Sequence, residues 1–129
     1  MPWVPPLLHD EQSELERTAH ALGVNLSALQ QAWSNATLVV LDDDTWSRLE
    51  NTDSCGPLTV EEATRLAHNY GRDIAQVLAG LTTGADLPAP VVLFRKTAQP
   101  YLVGGNTRLM ASRALGHTPK VLAILLPAP

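Results

Sequence analysis

The chain has 129 residues, of which 45% are hydrophobic and 17% charged, so it can form one globular domain with a substantial core. No apolar run approaches the roughly 20 residues that span a bilayer, and the lone Cys55 excludes an internal disulfide framework and a cysteine-based zinc site. The net charge of −4 disfavours strong non-specific binding to DNA by the chain as a whole, and we expect a cytoplasmic protein.

Hydrophobic periodicity and capping residues divide the chain into predicted elements. The first elements in chain order are an irregular proline-rich arm (1–8), a helix (10–22) stopped by Gly23, and a short helix (26–33) capped by Asn25. A buried strand (37–41) follows, then a helix starting near Asp44, a turn-rich loop (51–57), a helix opened by a Thr59–Glu62 capping box and ending at Gly71, and a helix capped by Asp73. After a loop (82–90), the chain is predicted to form two strands (91–95 and 101–103), a helix (107–115) and a last strand (120–125).

These elements predict an α+β fold with a small mixed sheet and packed helices. The strands at 91–95 and 101–103 are separated by only five residues, so they are expected to form a hairpin. Residues 1–36, the arm and a helical hairpin, are predicted to be an extension of a main domain that covers residues 37–129.

Residues 101–116, YLVGGNTRLMASRALG, carry the strongest indication of function. A short strand leads into two glycines, which let the backbone approach a ligand, and a helix then opens with Asn106, a favoured N-cap. The helix start offers unpaired N–H groups, and Arg108 adds a cation suited to phosphate. The pattern predicts a phosphate site, although a tight turn with a capping asparagine and a solvated arginine would have the same sequence.

The distribution of charge supports an anion site in the same region. Residues 1–86 hold all 13 acidic residues and only four basic ones, whereas residues 87–129 hold no acidic residue and five basic ones. Such asymmetry favours binding of an anion to the basic part, or attraction between the two parts across their packing surface. The five basic residues are Arg95, Lys96, Arg108, Arg113 and Lys120.

The run PAPVVLFRKTAQPYLVGGNTRLMASRALGHTPKVLAILL, residues 88–126, resembles the core of the ParB/sulfiredoxin superfamily. The shared pattern is a strand, a variable hairpin, a strand ending in a glycine–arginine turn, a helix ending in Leu-Gly and a final strand. The turn is most similar to the Asp-Gly-His-Thr-Arg turn of free-serine kinases, and Asn106 stands where sulfiredoxins have a catalytic cysteine. It lacks the glutamate of the Gly-Glu-Arg-Arg turn in chromosome-partitioning ParB proteins. The turn and charge pattern also resemble small ParB-like proteins of tailed bacteriophages.

The resemblance implies a nucleotide-binding domain and, as one possibility, a phosphotransferase that uses a nucleoside triphosphate, ATP or CTP, with Mg²⁺. The implied phosphate-binding residues are Gly104, Gly105, Asn106, Thr107 and Arg108, with charge neutralised by Lys96 or Arg95. A catalytic carboxylate must come from outside the acid-free part. Among Asp42, Asp43, Asp44, Glu50 and Asp53, we favour Glu50 and Asp53, although Asp44 also suits a helix cap and Asp53 a turn.

Two other functions remain open at this stage. A ParB-like DNA-binding or nuclease module would use the five basic residues as phosphate contacts. A non-catalytic phage accessory protein, in the host cytoplasm, would bind a host protein or nucleotide signal. Trp3 or Trp46, if exposed, would suit its partner surface, although tryptophans more often belong to the core. His117 is expected in a loop, and Arg113 on the solvent side of its helix.

Overall fold

The computed structural model describes residues 3–126, which form six helices and six strands. The fold is α+β, as predicted. The elements in order are β1 (Trp3–Val4), α1 (Leu8–Leu22), α2 (Leu26–Ser34), β2 (Thr37–Val40), α3 (Asp43–Arg48), α4 (Val60–Asn69), α5 (Ala75–Thr83), β3 (Leu87–Pro88), β4 (Val91–Arg95), β5 (Tyr101–Gly104), α6 (Asn106–Leu115) and β6 (Lys120–Leu126).

The main sheet has four strands in the order β2-β6-β4-β5. Strands β4 and β5 form the predicted antiparallel hairpin. Helix α6 then connects β5 to β6, which returns parallel to β4 with Val91 opposite Leu122. Strand β2 pairs antiparallel with β6 at the sheet edge. The start of α6 therefore lies next to the end of β5, at one edge of the sheet.

Helices cover both faces of this sheet. Leu15 of α1 and Leu29 of α2 pack with Val91 on one face, whereas Trp46 of α3 and Leu109 of α6 pack with residues of the other face. Because both faces are covered, three successive residues of β4, Val91, Val92 and Leu93, are fully buried. Helices α4 and α5 pack against α6 and form a third apolar cluster with it.

The predicted helix ends are confirmed where local hydrogen bonds define them. Asn25 Oδ1 accepts hydrogen bonds from Ser27 N and Ala28 N at the start of α2. Thr59 and Glu62 form the predicted capping box of α4. Gly23 ends α1 in the left-handed conformation, with a φ of 65°.

Two predictions near the sheet edges are wrong. Strand β2 was expected to be buried, but Thr37, Val39 and Val40 are exposed because β2 has a neighbour on one side only. The arm was expected to be irregular, yet α1 begins at Leu8 and β1 pairs parallel with β3, which lies in a predicted loop. Trp3 is 5% exposed, so burial of its ring holds β1 in place.

Candidate functional site

A cavity of about 990 Å³ opens at the junction of β5 and α6. Its wall includes the whole glycine turn, residues 104–108. Four segments supply the lining residues: Asp10, Glu11, Glu14 and Arg17 from α1; Asn51, Thr52 and Asp53 from the loop after α3; Tyr70, Arg72, Asp73 and Val77 from the α4–α5 region; and Leu102, Val103, Gly104, Gly105, Asn106, Thr107 and Arg108 from the strand–turn–helix unit.

The geometry of the turn requires glycine at position 105. Gly105 is the N-cap of α6 and has a φ of 103°, outside the range that side-chain-bearing residues ordinarily adopt. A Cβ atom there would lie 2.7 Å from Cα and Cβ of Pro90. Within residues 3–126 no side chain caps α6, so the N–H groups of its first turn, from Asn106 to Arg108, keep their capacity for a ligand.

Asn106 is not the N-cap, contrary to prediction. It is the first residue of α6, and its Oδ1 atom accepts hydrogen bonds from Thr52 Oγ1 at 2.6 Å and from Asp53 N at 3.3 Å. Gly105, one residue before Asn106, takes the cap position. The close approach of Pro90 leaves no room there for a side chain. Asn106 instead attaches the 51–54 loop to the start of α6.

Arg108 lines the cavity, but its guanidinium is bonded to other groups of the protein. Its Nη1 donates to the carbonyl of Pro88 at 2.6 Å, and its Nη2 lies 3.6 Å from Glu11 Oε1. Burial lowers the pKa of the Arg108 guanidinium and raises the pKa of the Glu11 carboxyl, and the attraction between the two groups opposes both shifts. Arg108 therefore supports the turn, and Glu11 partly compensates its charge.

The cation that the cavity can offer is Arg72, which sequence analysis missed. Within residues 3–126, its side chain makes no hydrogen bond or ion pair. Arg17, by contrast, is paired with Glu14 at 2.7 Å. Arg72 follows Gly71, at which the preceding helix was predicted to stop, so its sequence context indicates only a loop. Packing of α4 against α6 brings it to the cavity.

The structure separates the two predicted catalytic carboxylates. Asp53 lies in the cavity wall, where Tyr70 Oη donates to its Oδ2 at 2.6 Å. This hydrogen bond stabilises the protonated phenol and so raises the pKa of Tyr70, and repulsion between a phenolate and the carboxylate adds to the shift. Glu50 and Lys96 line a different, smaller cavity of about 490 Å³, and Glu50 Oε2 is 3.9 Å from Arg95 Nη2. The structure therefore brings Asp53, but neither Glu50 nor Lys96, to the glycine turn.

The charge of the cavity wall differs from the expectation based on the basic end of the chain. Five carboxylates and three arginines line the cavity: Asp10, Glu11, Glu14, Asp53 and Asp73 against Arg17, Arg72 and Arg108. The carboxylates come from α1 and from loops distant in sequence, which the tertiary fold places around the turn. Within residues 3–126, no three acidic, histidine or cysteine side chains converge as metal ligands.

The basic residues of the C-terminal third do not form one open surface. Arg113 was predicted on the solvent side of its helix, but its guanidinium carbon lies 3.7 Å from the centre of the Trp46 ring and its Nε donates to Ser54 O at 3.0 Å. Arg95 donates to Gln99 O and faces the Tyr101 ring. These contacts and those of Arg108 hold three of the five cations against the protein.

The tryptophans proposed for a partner surface are buried, since Trp46 is 2% and Trp3 5% exposed. That part of the accessory-protein hypothesis is wrong, because both rings belong to apolar clusters of the core. His117 lies exposed in the loop after α6, as predicted.

No protein-family model matches the chain, and neither a curated protein nor a solved structure does. The resemblance of residues 88–126 to the ParB/sulfiredoxin superfamily therefore stays a prediction from the sequence.

Among the helices of residues 3–126, none has the length and apolarity needed to cross a bilayer.

Proposed function

We propose that this chain is a nucleotide-binding domain of the ParB/sulfiredoxin type, which holds the phosphates of a nucleoside triphosphate, ATP or CTP, at the start of α6. One observation carries the proposal: the large cavity and the glycine turn coincide. The sequence of the turn independently predicts a phosphate site. A helix start with unpaired N–H groups at the wall of a cavity is suited to an anion.

The phosphates would be held mainly by neutral donors and one cation. The N–H groups of the first turn of α6 point along the helix dipole toward the ligand. Thr107 lines the cavity and can add its hydroxyl, and Arg72 can provide the guanidinium. Arg108 would act indirectly, by fixing the turn through its contacts with Pro88 and Glu11.

The acidic wall makes a divalent cation part of this proposal. A bare triphosphate would meet five carboxylates and only one arginine without an ion pair. Mg²⁺ commonly binds through phosphate oxygens, water and one or two carboxylates rather than through a complete protein cage. The absence of a three-ligand cluster in residues 3–126 is compatible with this mode, in which the ion enters with the nucleotide.

Where phosphoryl transfer occurs, Asp53 is our choice for the base. Its Oδ2 is held by Tyr70, and it lies in the cavity wall beside Asn106. It would accept the proton of an acceptor hydroxyl, whose oxygen then bonds to the γ-phosphorus while the bond to the diphosphate leaving group breaks. Glu50 lines the smaller cavity and is not assigned this step.

The test is calorimetric titration of the protein with ATP, CTP and GTP, each with Mg²⁺ and with a chelator, and with a short DNA duplex. We expect saturable binding of at least one nucleotide below millimolar concentration, and weaker binding when the metal is removed. Arg72→Gln should weaken it about tenfold, the equivalent of one charge-assisted hydrogen bond. Arg65→Gln is the matched control, because Arg65 is exposed on α4 and does not line the cavity.

Three results would reject the proposal in different ways. No binding of any nucleotide at millimolar concentration removes its basis. Equal binding by Arg72→Gln and Arg65→Gln removes the assigned cation. Binding of the duplex alone, with affinity that falls steeply as salt rises, would favour the DNA-binding alternative.

A further inference from the structure

A chain of side-chain hydrogen bonds runs from the core to the glycine turn. Trp46 Nε1 donates to Ser54 Oγ at 2.8 Å, Ser54 Oγ lies 2.8 Å from Thr52 Oγ1, and Thr52 Oγ1 lies 2.6 Å from Asn106 Oδ1. We call these four residues, Trp46, Ser54, Thr52 and Asn106, the polar chain. It joins α3 to the first residue of α6 through the 51–54 loop.

The direction of every hydrogen bond in the polar chain follows from its two ends. An indole nitrogen can only donate, so Ser54 Oγ accepts from Trp46. At the other end, Asn106 faces the N–H of Asp53, which can also only donate, so the atom of Asn106 on this side must be Oδ1. Thr52 therefore donates its proton to Asn106, and Ser54 donates its own proton to Thr52.

The opposite orientation of the Asn106 amide is disfavoured by the same groups. Rotation by half a turn would place the Asn106 NH₂ group against the Asp53 N–H, donor against donor. It would also reverse the hydrogen bond between Thr52 and Ser54, so that Ser54 Oγ accepts from both Trp46 and Thr52 and the Ser54 proton loses its acceptor in the polar chain. The second loss would occur at the fully buried Ser54, where an unmade hydrogen bond is costly.

Contacts with the core hold the other residues of the polar chain in place. Ser54 is fully buried, and its carbonyl accepts from Arg113 Nε at 3.0 Å. The Arg113 guanidinium also stacks on the Trp46 ring. The Thr52 hydroxyl is therefore presented to Asn106 from a loop that the core keeps in place.

We infer that the polar chain orients the Asn106 amide so that its Nδ2 protons form a fixed donor in the cavity, which selects a ligand group that only accepts hydrogen bonds. Asn106 lines the cavity, and within residues 3–126 its Nδ2 has no hydrogen-bond partner. Phosphate oxygens are such acceptors, so this inference rests on the proposed function. Asn106 would be the binding residue and Thr52 its positioning residue.

The experiment compares Mg²⁺–nucleotide binding by the wild type and by Asn106→Asp. Aspartate keeps an oxygen that accepts from Thr52 and from Asp53 N, but it replaces the donor with a negative charge. We expect binding at least about tenfold weaker. Asn25→Asp is the matched control, because the same substitution at the α2 N-cap retains the cap oxygen and adds the same charge at a position that does not line the cavity.

Thr52 is tested by a pair of substitutions and by a spectroscopic signature. Thr52→Val removes the hydroxyl with little change in shape, and it should weaken binding several-fold, whereas Thr52→Ser should restore it. In NMR spectra of the wild type, the two Nδ2 proton signals of Asn106 should shift on nucleotide titration, and in Thr52→Val they should broaden or move before any nucleotide is added.

Failure of the inference differs from failure of the proposed function. If the wild type binds nucleotide and Asn106→Asp binds as well as Asn25→Asp, the donor role is rejected and the nucleotide site stands. If Thr52→Ser is as impaired as Thr52→Val, or if the Asn106 signals are the same in Thr52→Val as in the wild type, the positioning role is rejected. A wild type that binds no nucleotide rejects both proposals.

Discussion

Substitution of Gly105 by alanine should destabilise the protein far more than the same substitution at another left-handed glycine. Gly105 has a φ of 103°, well beyond the left-handed minimum near 57°, and an L-residue there loses about 1–2 kcal/mol. The added Cβ would also lie 2.7 Å from two atoms of Pro90, and relief of such overlap costs a further 1–3 kcal/mol or so. We expect a total loss of about 3 kcal/mol.

Gly84→Ala is the matched control for the backbone contribution. Gly84 has a φ of 75°, and no atom lies within 4 Å of the position that a Cβ would occupy. It should lose only about 1 kcal/mol, so the difference between the two variants, about 2 kcal/mol, measures the contact with Pro90.

The assay is equilibrium unfolding in urea, supported by thermal melts. For a domain of this size, Gly105→Ala should lower Tm by roughly 10 °C, and Gly84→Ala by roughly 4 °C. Equal losses in the two variants would show that the turn is not packed against Pro90 as described. The turn would then also not form the wall of the cavity in the way described.

Two further predictions concern charged side chains. The Glu62 carboxylate accepts a hydrogen bond from Thr59 N, which lowers the pKa of this carboxyl from its usual value of 4.5. The ionised carboxylate therefore stabilises the folded protein above pH 4.5, and this stabilisation is lost as the pH falls through the lowered pKa. Glu62→Gln should lose stability relative to wild type at pH 7 but not at pH 2 in thermal melts, and an equal difference at both pH values would contradict this. Arg108→Met leaves the buried Glu11 carboxylate unpaired and should cost about 3 kcal/mol in urea unfolding, most of which Glu11→Leu in the same chain should restore. If Arg108→Met alone is as stable as the wild type, the structural role of the Arg108–Glu11 pair is refuted.

Local sequence patterns predicted most of the helices and the hairpin, because their determinants lie within a few residues. The oxygen of Asn25 and the Thr59–Glu62 pair act on N–H groups two or three positions away. The same reasoning failed for Asn106, whose oxygen bonds to Thr52 and Asp53, more than fifty positions earlier. A cap and a long-range acceptor have the same sequence signature.

Charge was the least predictable property of the candidate site. The acid-free C-terminal third indicated a basic surface, but Arg108 and Arg113 make contacts within the protein instead. Glu11 and Arg72 line the cavity although nothing near them in sequence indicates a ligand. The electrostatics of a cavity depend on every element around it, and these elements are distant in sequence.

The α+β class and the passage of β5 through two glycines into α6 could be predicted from the amino-acid sequence, which also predicts a phosphate site at this junction. Periodicity, capping and backbone freedom are local, and they act within a few residues. The pairing of Arg108 with Glu11, the position of Arg72 at the cavity, and the presence of Asp53 rather than Glu50 beside the turn became known from the fold alone. Those outcomes depend on which side chains packing brings within hydrogen-bonding and ion-pairing distance.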